Sequence, residues 1–240
     1  MNSTPDWLNR ETILLGTAGV EKLQACHVLL AGCGGVGSYT AEALVRAGIG
    51  ELTVFDPDKV HITNLNRQLP ALTSTINEYK VQVLAQRLLD INPQLKLHVF
   101  AEALTMENIP QILDETRFDH IADAIDSVNE KCLLLAAAAQ RNIRCIASMG
   151  AGFRLDPSQI QYADISKTYN CKLARMIRGK LKKIYGITKG IDCVFSSETP
   201  CPPAATDPDN TIGSSSFIPG IFGLFMAGRI ISQLALPSSE

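Results

Sequence analysis

"CHVLLAGCGGVGSYTAEALVRAGIGELTVFD", residues 26–56, decides the fold of this chain. Its first part, 26–32, is a short apolar run stopped by glycine, the pattern of a buried strand. Residues 36–49 follow helical spacing, with Ala43, Leu44 and Ala47 available to pack, and the pattern stops at Gly48 and Gly50. Residues 51–56 read as a second strand that delivers Asp56. Between first strand and helix, Gly32, Gly34 and Gly37 satisfy G-x-G-x-x-G, and Gly35 adds a fourth glycine. Such a loop lets the backbone turn tightly and approach a phosphate, while the helix N-terminus supplies amide donors and partial positive charge. Asp56 lies nineteen residues after Gly37, where a carboxylate meets ribose hydroxyls. On the loop alone a nicotinamide dehydrogenase is the default reading; other nucleotide-dependent enzymes and a purely structural glycine turn stay open.

The alternation continues outward. Helical spacing covers 79–91, 106–114 and 128–141, and apolar runs at 96–100, 120–126 and 143–148 read as strands. That rhythm predicts an α/β fold: a Rossmann-like, mostly parallel sheet with helices on both faces. After Gly152 the rhythm changes. Residues 159–165 and 192–198 suit strands, 170–185 a helix, and the proline- and serine-rich 199–216 a mobile loop or lid. The apolar tail 217–236, interrupted by Pro219 and Arg229, is long enough for membrane contact; a helix docked in a core or dimer interface is the plainer expectation. One domain over 1–240 is expected, with 1–152 as a nucleotide-binding half and 153–240 as a substrate-side half.

The 240 residues are 46% hydrophobic, enough for a sizeable core, and the net charge of -2 points to no particular partner. Seven cysteines without a secretory leader suggest reduced thiols in a cytoplasm. No two form a CxxC pair, which argues against a four-cysteine zinc site. The average charge hides a local excess. Residues 165–191 hold eight basic side chains and no acidic one, leaving 14 basic residues against all 24 acidic ones elsewhere.

The segment just beyond Asp56 separates the alternatives. "DPDKVHITNLNRQ", residues 56–68, packs Asp58, Asn64, Asn66 and Arg67 close behind the second strand, and Lys80 opens the next helix. A dinucleotide's two phosphates need no such cations, whereas a magnesium triphosphate does. Asp126, expected at the carboxyl end of the fourth strand, is placed to hold the metal, with Ser127 beside it. Each residue also has a plainer use: Asp58, Asn64 and Asn66 in turns, Arg67 and Lys80 as solvated charges, Asp126 as a helix cap. Taken together they describe a site for attack on an α-phosphate.

"GCGGVG", "DPDKVHITNLNRQ", Lys80 and "AIDSVNEK" in this order resemble the E1-like adenylating superfamily of ubiquitin-activating enzymes and bacterial sulfur-carrier activators. The resemblance implies Asp56 on ribose, Asn64, Arg67 and Lys80 near the phosphates, and Asp126 on Mg2+. "NRETILLG", residues 9–16, is similar to the family's N-terminal segment, whose arginine, here Arg10, reaches a nucleotide, often that of the other subunit of a homodimer. The second half, "SMGAGFRLDPSQIQYADISKT" and "CVFSSETP" with the "GSSSFIPGIFGLFMAG" tail, resembles the tRNA threonylcarbamoyladenosine dehydratases. That resemblance implies ATP and Mg2+ as cofactors and tRNA carrying N6-threonylcarbamoyladenosine as substrate. The threonine carboxylate is adenylated, a nucleophile of the urea closes a ring, and one water is lost. Activation of a carrier protein's C-terminal carboxylate is the alternative within the superfamily, and a sulfur-transfer protein partner stays open.

The basic run gives tRNA a place to bind, since clustered Lys and Arg hold phosphates. On a helix, Lys172, Arg175, Lys182 and Lys183 fall largely off the Leu173–Ile177–Leu181–Ile184 face. A solvated helix face is the plainer reading. Cys171, Cys193 and Cys201 lie in the same half and are candidates for a nucleophile, although buried or incidental thiols are commoner.

Overall fold

The computed structural model describes residues 5–205 and 211–236. One seven-stranded sheet, in the order β3-β2-β1-β4-β5-β7-β6, runs through both halves of the chain. Its strands are β1 (His27–Ala31), β2 (Glu51–Phe55), β3 (Lys96–Phe100), β4 (His120–Asp123), β5 (Cys145–Ser148), β6 (Ile160–Asp164) and β7 (Asp192–Ser196). All neighbouring pairs are parallel except β6 with β7. The helices are α1 (Asn9–Ala25), α2 (Gly37–Arg46), α3 (Lys80–Ile91), α4 (Asn108–Glu115), α5 (Val128–Gln140), α6 (Lys172–Lys180) and α7 (Ile218–Ala235). The expected α/β class, parallel sheet and two helical faces are all present.

Strand β1 has no polar face because it has no solvent face. Val28 and Leu30 enter a core with α1, α2, α3 and α7, whereas Leu29 and Ala31 enter one with α4 and α5. Alternate side chains of one strand therefore anchor both layers, and each fully buried leucine contributes roughly 1.5–3 kcal/mol. A third cluster joins α5 and α6 to β5 and β7 through Leu135, Ala147, Ile177 and Phe195. At the edge, β3 is largely exposed, and the Phe100 ring stacks on Phe55 at 4.4 Å.

The apolar tail forms α7, which packs against α2 and α1 and buries Phe222, Met226 and Ile230. It passes the length and hydropathy test for a membrane span, with 56% of that span buried in the fold. A docked core helix accounts for it.

Three boundaries depart from expectation. Helix α1 is not predicted from the sequence because its apolar residues do not repeat cleanly. Gly16 sits at φ 76° inside it, and only Gly19, Val20 and Leu23 are buried. Strand β4 ends at Asp123 rather than residue 126, so Asp126 stands in the following turn. The helix expected over 170–185 is α6 followed by one π-helical turn (Leu181–Tyr185), closed by Gly186 at φ 69°. The middle of the loop expected over 199–216, residues 206–210, lies outside the described residues.

Candidate active site

The direction in which strands are added to the sheet reverses between β1 and β4. From β1 the sheet grows outward through β2 to β3, and the chain then returns to place β4 on the other side of β1. Connections leaving adjacent strands in opposite directions open a crevice beyond their carboxyl ends, where open α/β sheets bind ligands. Here the crevice is a cleft of about 820 Å³ lined by the glycine loop, the ends of β2 and β4, and segments from the second half. The turns after β1 and β4 touch. A Cβ on Gly32, at φ 92°, would stand 2.7 Å from the Ala124 carbonyl oxygen, and one on Gly37 would stand 1.7 Å from that of Gly32. Gly32, Gly34 and Gly35 line the cleft, whereas Gly37 packs behind it.

Asp56 is 5% exposed, and its two oxygens brace the loop and the outgoing chain. Oδ2 accepts from the Cys33 amide at 2.6 Å and Oδ1 from that of Asp58 at 2.8 Å. Burial pushes its carboxyl above the usual carboxylate range, against the pull of the Lys80 ammonium and the two amides. Lys80 opens α3 and is itself buried, with Nζ donating to Asp58 Oδ2 at 2.7 Å. The backbone holds this approach, because the Lys80 amide donates to the Asp58 carbonyl at 3.0 Å. Asp56, Asp58, Lys80 and Arg67 all line the cleft.

The polar arm divides its labour. Asn64 Oδ1 accepts from the His61 amide at 3.0 Å, which closes a 3-10 turn. Asn66 donates to the Ser214 carbonyl at 3.0 Å and accepts from Arg67 Nη1 at 2.9 Å, thereby steering that guanidinium. Neither asparagine lines the cleft. Gln68, at the end of the same polar arm and not among the expected site residues, does line it. It is buried, and its Oε1 meets no donor among the described residues.

Across the cleft, Asp126 and Ser127 occupy the turn between β4 and α5, both exposed and both lining the recess. Mg2+ is usually bound through one or two carboxylates plus substrate phosphates. An exposed carboxylate just beyond the end of a strand, in a cleft that also holds the cations Arg67 and Lys80, fits that mode. The cluster of three potential ligands found among the described residues, His27, Glu51 and His98, lies on β1, β2 and β3 away from the cleft.

Sequence reasoning misses what supports this turn. Asp123 and Lys131 form an ion pair at 2.7 Å, and both side chains are 0% exposed. Asp123 Oδ1 accepts from the Ile125 amide at 3.0 Å, one residue before Asp126. Burial pushes the Asp123 carboxyl above the usual range while Lys131 opposes it. Nothing in the spacing marks Lys131 as buried, and the strand expected over 120–126 leaves Asp123 inside it rather than at its end.

Arg10 lies on α1, exposed and outside the cleft lining. Lys172, Arg175, Lys182 and Lys183 are exposed, as expected of the basic face, and Lys172 also lines the cleft. Arg175 and Lys182 border a second recess of about 290 Å³ with Arg178. Arg178 turns inward, donating to the Thr168 carbonyl at 2.8 Å. Ile184, expected on the apolar face, is exposed, as is Met176. All seven cysteines are unpaired. Burial pushes the Cys193 thiol well above its ordinary value. Cys171 Sγ accepts from the amides of Gly150 and Ala174 at 3.4 Å each, an α6 cap.

The sequence profile of the ThiF family matches residues 8–238. The tRNA threonylcarbamoyladenosine dehydratase of Bacillus subtilis is 37% identical over 240 residues, covering 94% of this chain and 93% of the relative. The E. coli tRNA N6-threonylcarbamoyladenosine dehydratase solved with AMP superposes with a TM-score of 0.90 at 33% identity, covering 96% of each chain. The same enzyme solved with ATP superposes with a TM-score of 0.89 at 33% identity, again covering 96% of each chain.

Proposed function

This chain belongs to the ThiF family and, within it, to the tRNA threonylcarbamoyladenosine dehydratases; from that premise we propose how its own residues carry out the reaction. It is an ATP-dependent enzyme that dehydrates N6-threonylcarbamoyladenosine in tRNA. The observation that carries the residue assignment is the convergence of Asp56, Arg67, Lys80 and Asp126 on one cleft, beyond the strand ends where the sheet reverses.

In the proposed sequence the threonine carboxylate attacks the α-phosphorus of ATP, the bond to the bridging oxygen breaks, and pyrophosphate leaves. A nucleophilic atom of the urea then attacks the acyl carbon, AMP leaves with the electron pair of the broken bond, and the urea proton passes to solvent. The nucleoside has lost one water. Asp56 accepts from the ribose hydroxyls. Lys80 exchanges Asp58 for a phosphate oxygen, and Arg67, steered by Asn66, meets the same triphosphate. Asp126 would hold magnesium, whose charge would neutralise the phosphate oxygens on either side of the breaking bond. Both attacks are favoured by holding reactants in line, which such a cleft does by exclusion and charge.

The exposed basic face of α6 suits the tRNA backbone, and Lys172 connects it to the cleft. A homodimer is part of the proposal. Trp7, Ile13 and Leu14 are exposed at 45%, 78% and 75% around Arg10, an apolar surface that supports burial against a second copy. Domain 1–240 acts as one unit, with ATP handled by 1–152 and the acceptor by 153–240. Seven unpaired thiols favour a reducing compartment. None of the residues assigned to the reaction requires a sulfur-transfer partner.

The deciding experiment incubates the chain with ATP, magnesium and tRNA bearing the threonylcarbamoyl group. Nucleoside mass should fall by one water while AMP and pyrophosphate form in equal amounts. An unchanged nucleoside, with pyrophosphate exchange stimulated by a carrier protein ending in diglycine, would overturn this reading in favour of carrier activation.

A further inference from the structure

The cleft is chemically uneven. Every acidic residue among its described lining, Asp56, Asp58, Glu102, Asp126 and Glu130, belongs to the first half of the chain. The lining contributed by residues 148–154, 171–176, 200 and 212–214 has no acid among the described residues and two cations, Arg154 and Lys172. Arg154 is 2% exposed. Its Nη2 donates to the Asn170 carbonyl, but Nε and Nη1 meet no acceptor among the described residues. Burial lowers its affinity for the proton, yet a guanidinium stays charged in proteins. A buried cation with two unpaired donor nitrogens is among the most costly arrangements a fold can hold.

No neighbour among the described residues accepts a hydrogen bond from Nε or Nη1. Glu198 is within electrostatic reach of Arg154, but its carboxylate accepts from the amides of Leu155 and Asp156 at 3.1 Å. The backbone on both sides of the contact lies in the left-handed region, which asparagine tolerates and phenylalanine disfavours. Phe153 has φ 54° and Asn170 has φ 50°. Phe153 is clamped as well, donating to the Gly213 carbonyl at 2.8 Å and accepting from the Cys201 amide at 2.9 Å. Strain of this sort persists where the surrounding structure over-determines it, and it collects at ligand sites.

We propose that Arg154, with Lys172 at the rim, forms an acceptor subsite in which Nε and Nη1 take up oxygens of an oxyanion brought in by the substrate. The oxyanion is either the carboxylate about to be adenylated or a nucleotide phosphate beside it. The inference rests on the tRNA reading and adds the residue that receives the acceptor. Glutamine amides or hydroxyls would do this in neutral form; a buried guanidinium does it with charge, and its unpaired state in the free chain is relieved on binding.

The test compares wild type with Arg154→Met, which keeps bulk and removes every donor, and with Arg154→Lys. Wild-type turnover of threonylcarbamoylated tRNA is measured first and is the test of the tRNA reading; if wild type is silent, the inference falls with it. Given turnover, Arg154→Met should lose about tenfold to a hundredfold in kcat/KM for tRNA. Its ATP affinity should not change, and it should melt at or above the wild-type temperature, because an unpaired charge has left the interior. Arg154→Lys should recover part of the loss. Loss of binding to modified tRNA alone assigns the carboxylate; equal loss for modified and unmodified tRNA assigns a phosphate. Wild-type kcat/KM in Arg154→Met overturns the subsite. So does a large fall in melting temperature with ATP affinity lost in parallel, since the guanidinium would then be structural.

Discussion

Replacing Lys131 by methionine tests whether the turn carrying Asp126 is held by a buried charge. Lys131 Nζ lies 2.7 Å from Asp123 Oδ2 and both side chains are fully buried. Methionine fills similar space but leaves a carboxylate in the interior without its cation. Removing one partner of a buried pair typically costs about 3–5 kcal/mol, against a total stability of about 5–15 kcal/mol. At about 2–4 °C per kcal/mol for a chain of this size, the melting temperature should fall by roughly 6–20 °C. The loss has a definite pH signature. Burial already raises the Asp123 carboxyl above its unfolded value, so between the unfolded and folded pKa values the native state binds a proton more readily than the unfolded state does. Stability from this group is fully present below the unfolded pKa and is lost as pH rises through the folded one. Losing Lys131 raises the folded value further and widens that window upward. The variant should therefore regain stability relative to wild type as pH falls from about 7.5 to about 5.5. Scanning calorimetry of both proteins across that range reads the difference directly, and ATP–pyrophosphate exchange reports on the turn. A Lys131→Met protein melting within about 2 °C of wild type at neutral pH, or showing no relative gain on acidification, would refute the reasoning.

Asp126→Asn should abolish exchange at any magnesium concentration while leaving the melting temperature within about 2 °C of wild type, because the side chain is exposed. Calorimetry and exchange assays on one sample check both halves. Reversing Lys182 and Lys183 to glutamate should raise the KM for tRNA, most at low salt, and leave ATP binding intact; a salt titration of tRNA affinity should show a shallower slope than wild type. His27 and His120 are held below their ordinary values by burial. Their contribution is present above the unfolded value of about 6.5 and is lost as pH falls below it. Wild-type melting temperature should accordingly drop on mild acidification, and His120→Gln should flatten that drop.

Much of the fold is readable because its signals are local. In β1 a continuous apolar run reports a strand covered on both faces, and Lys96–Phe100 is the same strand in sequence and structure. Helix α1 escapes because its kink at Gly16 breaks the period and the surface it presents is not buried within the chain. The site is legible to the extent that its residues sit where strands end: Asp56, Arg67, Lys80 and Asp126 do gather. Asn64 and Asn66 do not, because an amide after a strand has a second use, closing turns and aiming neighbours, that spacing alone cannot separate from ligand contact. Lys131, Gln68 and Arg154 are invisible for another reason. Long polar side chains are usually solvated, and only the packed structure says which of them are not.

Two of those hidden residues show how burial can distinguish support from recognition. Lys131 and Arg154 are both cations carried into the interior, and both lie near the same cleft. Lys131 meets a carboxylate at 2.7 Å and a carbonyl at 3.4 Å, and the acid it meets holds an amide of the adjoining turn. Its charge is answered within the fold, so its removal should be felt as lost stability and, through the turn, as lost activity. Arg154 has one carbonyl and two unanswered nitrogens. Its charge is a cost in the free chain, so its removal should be felt as lost activity with stability unchanged or improved. The opposite signs follow from hydrogen-bond accounting alone, and a pair of melting curves with a pair of turnover rates tests both at once. If the two substitutions moved stability in the same direction and by similar amounts, partner counting would be the wrong guide to which buried cations of this fold serve its stability and which serve the substrate.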